Sequence, residues 1–270
     1  MTEGVAGRSG PVYVELRPTS ELRGYVSTAW VRRAAPDAGP VLHRDIPDGR
    51  VDVRCRLGRP PQVVGPLTTP REWRLEPGAA VIGFRLRPGA AARLGLPVEE
   101  LTDQLVDAQD VFSSSVARGV DASSPADGLA ALSRLVLSGH RDGRGKDPIV
   151  DEAMRRMAGE KPWELSEIWA SLDIPERTFR RRFRAAVGLG PKALQQLLRF
   201  QHLLGKAQRA AAAGEPVAAR GLAAFAVEAG YADQSHLTRE CVRITGLPPR
   251  GFFGDLQCSC RDHDHRAAYS

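Results

Sequence analysis

Residues 163–194 read WELSEIWASLDIPERTFRRRFRAAVGLGPKAL, and residues 222–252 read LAAFAVEAGYADQSHLTRECVRITGLPPRGF. One pattern runs through both at a constant offset of 58 residues: Phe179 maps onto Leu237, Arg181 onto Arg239, Gly188 onto Gly246, Pro191 onto Pro249 and Leu194 onto Phe252. The recurrence of an apolar residue, an arginine, a glycine and a proline at fixed spacing marks one supersecondary unit used twice.

Each unit reads as a helix-turn-helix. In the first copy, 164–172 is a short helix with Leu165, Ile168 and Leu172 on one face, followed by a turn at Asp173 and Ile174. A second helix runs from Pro175, a residue suited to a first helical position, to about Val187. Phe179, Phe183 and Val187 recur every four residues and form its buried stripe, and Gly188 ends it as a left-handed cap. Arg177, Arg180, Arg181, Arg182 and Arg184 lie on the remaining surface. In the second copy, 217–229 is the supporting helix and Gly230-Tyr231 the turn. Asp233 caps a helix reaching about Thr245, with Leu237, Cys241 and Ile244 inward. Gln234, Ser235, Thr238 and Arg239 face out, and such side chains can hydrogen-bond base edges in a major groove. A longer helix, 191–213, joins the copies through an apolar side of Leu194, Leu197, Leu198, Leu204, Ala207 and Ala211.

The net charge of +6 sits where a polyanion partner needs it. Residues 161–256 carry 14 Lys/Arg against 9 Asp/Glu, whereas residues 1–160 are almost balanced at 22 against 21.

The second copy closely resembles the signature of AraC/XylS-type transcription regulators, and the first copy with its linker helix resembles the other half of that DNA-binding domain. The resemblance covers about residues 148–254. It implies two recognition helices entering successive major grooves of double-stranded DNA. Carried over by position, the base-reading candidates are Arg177, Arg180 and Arg181 in the first copy, and Gln234, Ser235, Thr238 and Arg239 in the second. Arg182, Arg184, Lys192 and Arg199 are the candidates for phosphate contacts. Three positions depart from the family pattern. Pro175 stands where a Ser or Thr cap is usual, so Asp173 is the alternative cap. Trp169 replaces a small Ala, and Cys241 replaces a Phe.

Residues 11–88 differ in kind. Segments 12–16, 41–46, 50–57, 62–64, 72–75 and 80–86 read as short strands, and 19–30 fits helix or strand. Pro-Asp-Gly at 47–49 and Pro-Gly at 77–78 and 88–89 are turn chemistry. The expected architecture is α+β in two domains: a small β-barrel or double-sheet roll with flanking helices, then an all-α domain with two helix-turn-helix motifs joined by a linker helix. The stretches IPDGRVDV, VVGP and GFRLRPGAAARLGLPVEELTD resemble a domain found ahead of AraC-type DNA-binding domains, which implies a cupin-like sensor or dimerisation module. Residues 97–139 read as predominantly helical, with Leu101, Leu105, Ala108 and Phe112 on one face and Leu129, Leu132, Leu135 and Val136 on another. These helices either cover the β core or form a homodimer contact. The expected division is 1–140 for the β-rich domain, 141–147 for a linker, 148–256 for the DNA-binding domain and 257–270 for a tail.

Function classes narrow accordingly. A cupin-type enzyme needs a His-x-His pair with a Glu and another His, but residues 1–160 hold only His43 and His140, far apart. No nucleophile–base set or phosphate-cradling loop stands out, and no cofactor is implied. Trp30, Trp73 and Phe84 are the aromatic candidates for lining an effector pocket or packing the β core. Cys258, Cys260, His263 and His265 group thiols and imidazoles near the C-terminus, a set that suits Zn(II), Cu(I) or a redox switch without the spacing of a common zinc finger. No signal peptide or membrane span is read, and cysteine usage fits a reducing cytoplasm. The sequence thus points to a DNA-binding activator with an effector-sensing or dimerising N-terminal domain, with RNA polymerase as a possible second partner. The alternatives are a metal- or redox-responsive regulator using the tail and a cupin-type enzyme fused to a DNA-binding domain.

Overall fold

The computed structural model describes residues 12–112, 117, 123–139, 147–158, 164–214 and 221–259, with backbone alone at 212 and 255–259. Among the described residues eight strands come first: β1 Val12–Leu16, β2 Val26–Arg33, β3 Val41–Asp45, β4 Asp52–Arg56, β5 Gln62–Val64, β6 Arg71–Leu75, β7 Ala80–Leu86 and β8 Leu105–Asp107. Six form an antiparallel sheet in the order β1-β2-β7-β4-β5-β8, and β3 pairs with β6 in a second sheet. The roll is therefore of the double-sheet kind, and the two sheets share no ladder among the described strands.

The two faces of the large sheet differ because alternate residues point to opposite sides. On one face Ala29, Val53, Cys55, Val63, Ile82, Phe84 and Leu86 meet α1 (Ala90–Arg93) and α3 (Pro125–Ser138). Leu132, Leu135 and Val136 of α3 supply the helical side of that core, and Leu129 packs at its margin. Ser124 caps α3 by accepting from the Asp127 amide at 3.2 Å. The opposite face holds a smaller cluster of Trp30, Ala34, Leu75 and Val81 beneath the second sheet.

The ambiguous segment 19–30 resolves into turns followed by β2, whose Val26, Ala29 and Trp30 are buried by both sheet faces. The helical reading of 97–139 fails over its first part. Residues 105–107 are β8, residues Ala108–Val111 form only the short α2, and Leu105 is exposed. The cause is tertiary. The chain passes so close to Gly65 that a Cβ there would lie 1.7 Å from the Leu101 carbonyl oxygen. Gly65 N donates to Gln104 O at 3.0 Å, which starts the β5–β8 ladder, and edge pairing overrides the helical period.

The C-terminal region contains α4 Pro148–Ala158, α5 Leu165–Leu172, α6 Glu176–Val187, α7 Pro191–Ala212, α8 Leu222–Glu228, α9 Gln234–Thr245 and α10 Pro249–Ser259. One core joins Val150, Ala153, Met157, Ile168, Phe179, Phe183, Val187 and Leu194. A second joins Leu197, Phe200, Leu203, Leu204, Ala207, Phe225, Tyr231, Leu237, Cys241, Ile244 and Phe253. The inward stripes of α6 and α9 are those expected. On α7, Phe200 and Leu203 are also buried, whereas Leu198 and Ala211 are only half-buried. The final helix runs beyond the expected domain limit at 256.

The β-rich region reaches both motifs. Thr102 Oγ1 donates to Gly188 O at 2.9 Å, just past α6, and Arg44 Nη1 donates to Thr245 O at 3.2 Å, at the end of α9. Between them Gln201 of α7, itself buried, donates through Nε2 to Pro47 O at 3.1 Å. Ile46 is part of the second helical core.

Candidate nucleic-acid interface

The first recognition helix, α6, begins beside Pro175 in an extended conformation and has no side-chain cap hydrogen bond. Asp173 does not replace the missing cap. It turns the chain in the left-handed region (φ 48°) at the end of α5, whose own start carries a Glu164/Glu167 capping box. Pro175 thus stands one residue outside the helix, and Glu176 in the first turn complements the helix dipole. Trp169 is accommodated at the edge of the lobe. Its ring meets Phe179 edge-on at 5.9 Å and carries the Arg180 guanidinium 5.8 Å from its centroid.

Arg177, Arg180, Arg181 and Arg184 are exposed on α6. Arg180 is steered by Glu176, 2.5 Å away and one turn earlier. Arg182 behaves differently: it is half-buried at the flank of this face and already holds a partner. Its Nε and Nη2 both donate to Asp147, each at 2.7 Å. Asp147 also accepts from the amides of Ile149 and Val150, so it starts α4 and ties it to α6. Burial works against the Asp147 carboxylate, but the Arg182 fork and the two amides outweigh it and hold its pKa below the usual range. A depressed carboxylate stabilises the fold above its unfolded pKa, near 3.9, and loses that contribution as pH falls through its folded value. Asp147→Asn should therefore lower the melting temperature at neutral pH, with the gap to the parent closing in acid. A gap independent of pH would deny the ion pair this role.

The second recognition helix, α9, has a formed cap: Asp233 Oδ1 accepts from the His236 amide at 2.7 Å. Gln234, Ser235 and Arg239 are exposed, and Thr238 is half-buried with its hydroxyl donating to Gln234 O at 2.8 Å. That leaves Thr238 a methyl and an acceptor to present. Lys192 is exposed in the first turn of α7. Arg199 is half-buried, with its guanidinium 5.7 Å from the Tyr231 ring centroid. Arg243, exposed on the last turn of α9, is a further cation that the repeat pattern did not pick out.

Cys241 fills the place of the missing aromatic with a hydrogen bond as well as volume. Its thiol is fully buried and donates to Leu247 O at 3.3 Å. Burial pushes the pKa of both Cys55 and Cys241 up to about 11, so both stay thiols at neutral pH. Of the cysteine/histidine group near the C-terminus, Cys258 falls on α10, and Cys260, His263 and His265 lie outside the described residues. Among the described residues no three His, Cys, Asp or Glu side chains gather as a metal would require, and no helix is long and apolar enough to cross a membrane.

Two exposed polar helix faces, each closed by a left-handed glycine and each packed on α7, are the geometry of a double helix-turn-helix. A helix-turn-helix domain family matches residues 169–254. The C-terminal region is an AraC-type helix-turn-helix domain. A second family, a domain of unknown function (DUF6597), matches residues 14–107. No curated protein matches the chain significantly. Among solved structures, ToxT from Vibrio cholerae is similar at 11% identity and a TM-score of 0.38, over 80% of this chain and 97% of that one. Another ToxT structure, bound to (E)-4-(8-methylnaphthalen-1-yl)but-3-enoic acid, gives 11% identity and the same TM-score over 91% and 98%.

Proposed function

We propose that the protein is a sequence-specific transcription regulator of the activating kind that lays α6 and α9 into successive major grooves of double-stranded DNA. The observation that carries this is the pair of recognition faces. Arg177, Arg180 and Arg181 on one and Gln234, Ser235, Thr238 and Arg239 on the other project from helices braced by a single linker helix. These residues read bases, while Arg184, Lys192 and Arg199 supply phosphate contacts and the salt dependence that follows from counterion release. Arg182 joins them from the flank of the face, where its fork to Asp147 also braces α4. The functional units are residues 1–140, which sense an effector or dimerise, and residues 148–256, which bind DNA, both working in the cytoplasm with RNA polymerase as a second partner.

The test is a pull-down of genomic fragments by the purified protein, then a salt titration on the best fragment. A discrete motif spanning two major grooves is expected. Arg239→Ala should cost about 1–3 kcal/mol of discrimination, as loss of a bidentate guanine contact does. Lys192→Ala should weaken binding to all sequences alike and flatten the salt slope by roughly one unit. The reverse assignment would overturn this sorting of contacts.

A further inference from the structure

The strand β1 reads VYVEL and stands between Pro11 and Pro18 in the sequence. It is the outer strand of the large sheet: one side pairs with β2, and no strand stands on the other among the described residues. The register sets Leu16 in line with Ala29 and Phe84, and Val14 in line with Val31 and Ile82. These rows belong to the apolar face that the helices cover. The cover does not reach the margin. α3 lies mainly over β7 and β4, and Val12, Val14 and Leu16 are 42%, 43% and 41% exposed. An open backbone edge thus meets an apolar shelf, a combination that sheets ordinarily blunt or pair. The helical candidates for a homodimer contact are engaged elsewhere, because Leu129, Leu132, Leu135 and Val136 pack on the β core.

The strand complements itself. Laid antiparallel against a second copy with Val14 opposite Val14, it sets Val12 opposite Leu16 twice on the apolar face and Tyr13 opposite Glu15 twice on the other. Tyr13 and Glu15 suit each other chemically: within one strand the Tyr13 hydroxyl donates to Glu15 Oε1 at 2.8 Å. The Arg32 guanidinium, 4.8 Å from the Tyr13 ring centroid, adds positive charge beside the place that the incoming Glu15 takes. Other registers are worse. A slip of one residue sets the apolar row of one copy level with the polar row of the other. A slip of two sets Glu15 opposite Glu15, or Pro11 opposite Glu15. Pro11 and Pro18 have no amide to donate, so they end the ladder on both sides.

We infer that β1 is a homodimer contact: two copies of this chain pair their β1 strands antiparallel about Val14, and their large sheets become one. The inference rests on the dimerising role proposed above for the N-terminal region and gives it a surface and a register. The pair carries four helix-turn-helix motifs, two from each copy, and calls for operator sites related by a two-fold axis.

Sedimentation equilibrium of the full-length protein without DNA tests it at micromolar concentrations, where the mass should be that of two chains. Val14→Lys puts two ammonium groups face to face on the axis and should weaken the dimer roughly tenfold or more. Leu42→Lys, on an exposed side chain of β3, is the control and should leave the dimer intact. Cysteines read the register, in a background with Cys258→Ser and Cys260→Ser and with diamide as oxidant. Val14→Cys should close a disulfide between copies, because residues directly opposite have Cα atoms about 4.5–5.5 Å apart. Val12→Cys should not, because its counterpart lies roughly 13 Å further along the partner strand. A monomer at every concentration, an undiminished dimer in Val14→Lys, or equal cross-linking at the two positions would overturn the inference. So would a monomer whose β1 amides resist hydrogen exchange, since another segment of the same chain then holds the edge. Because no DNA is present, a monomer that still binds its operator would sink the dimer contact alone. A dimer that binds no operator would leave the contact standing and remove the regulator.

Discussion

Phe183→Ala is expected to destabilise the protein by about 3–5 kcal/mol, enough to consume much of a typical folding free energy. Phe183 is fully buried on α6 and lies 5.4 Å from the Phe179 ring. Around it the first helical core gathers Val150 and Ala153 of α4, Ile168 of α5 and Leu194 of α7. Removing the ring takes away a surface that four helices share, so no single neighbour can relax into the space. Trp169 is the aromatic side chain at the margin, beside Met154, Leu172 and Ile174, and its edge contact with Phe179 limits how far it can move inward. Partial collapse there would bring the cost toward the lower end of the range. Specific DNA affinity should fall along with stability, because α6 is itself the recognition helix. Arg184→Ala is the control: on an exposed side chain it should change stability by no more than about 0.5 kcal/mol while still weakening DNA binding. Urea denaturation of both variants reads the difference. A loss below about 1 kcal/mol for Phe183→Ala would mean that this lobe is not held by the core described.

The helical motifs were legible in the sequence because their determinants are local. The stripe of Phe179, Phe183 and Val187 and the terminal Gly188 lie within ten residues of one another, and the second copy repeats them. What was missed depends on distant partners. Five arginines on α6 look alike in the sequence, but only the structure brings Asp147 to Arg182 from 35 positions upstream. Residues 105–107 keep a helical spacing of apolar groups, yet the passage of the chain over Gly65 makes them an edge strand. Phe200 and Leu203 were passed over on α7 because that helix buries two sides at once: Leu194 and Leu198 meet the first core, while Leu197, Phe200, Leu203, Leu204 and Ala207 meet the second. A small cleft between the two sheets was illegible for the same reason: β4, β5, β6 and β7 each contribute to its lining, and no short window contains it. Trp73 lines that cleft beside the Arg32 and Arg54 guanidinium groups, which no window of sequence brings to it. Of the other two aromatic candidates, Phe84 belongs to the apolar face beneath α3 and Trp30 to the small cluster on the opposite face.

The repeat also supplies the second large effect, through a paired experiment: Gly188→Ala should be far more damaging than Gly246→Ala. The two glycines hold one position in the repeat and do the same local work. Each ends a recognition helix in the left-handed region, at φ 81° and φ 76°, with its amide donating to the carbonyl four residues back. A Cβ in that conformation costs about 1–2 kcal/mol at either site. Their surroundings differ. At Gly246 the nearest atom to an added Cβ is Pro70 Cγ at 3.5 Å, an ordinary contact. At Gly188 the added carbon would lie 2.8 Å from Val98 O and 2.9 Å from both Pro66 Cγ and Thr102 Oγ1. Two of these are a backbone carbonyl and a proline ring, which cannot swing aside. Overpacking adds about 1–3 kcal/mol, so Gly188→Ala should cost roughly 2–5 kcal/mol in all. The excess over Gly246→Ala measures the seat of α6 on the β-rich region, because the clash lies wholly between the two. Thr102→Ala removes the hydroxyl that donates to Gly188 O and one of the three obstructions, so it should recover part of the excess in the double variant. If the two glycine variants melt together, the first helix-turn-helix is not docked at Gly188. If Gly188→Ala melts far lower and Thr102→Ala relieves it, the β-rich region bears directly on the end of a recognition helix.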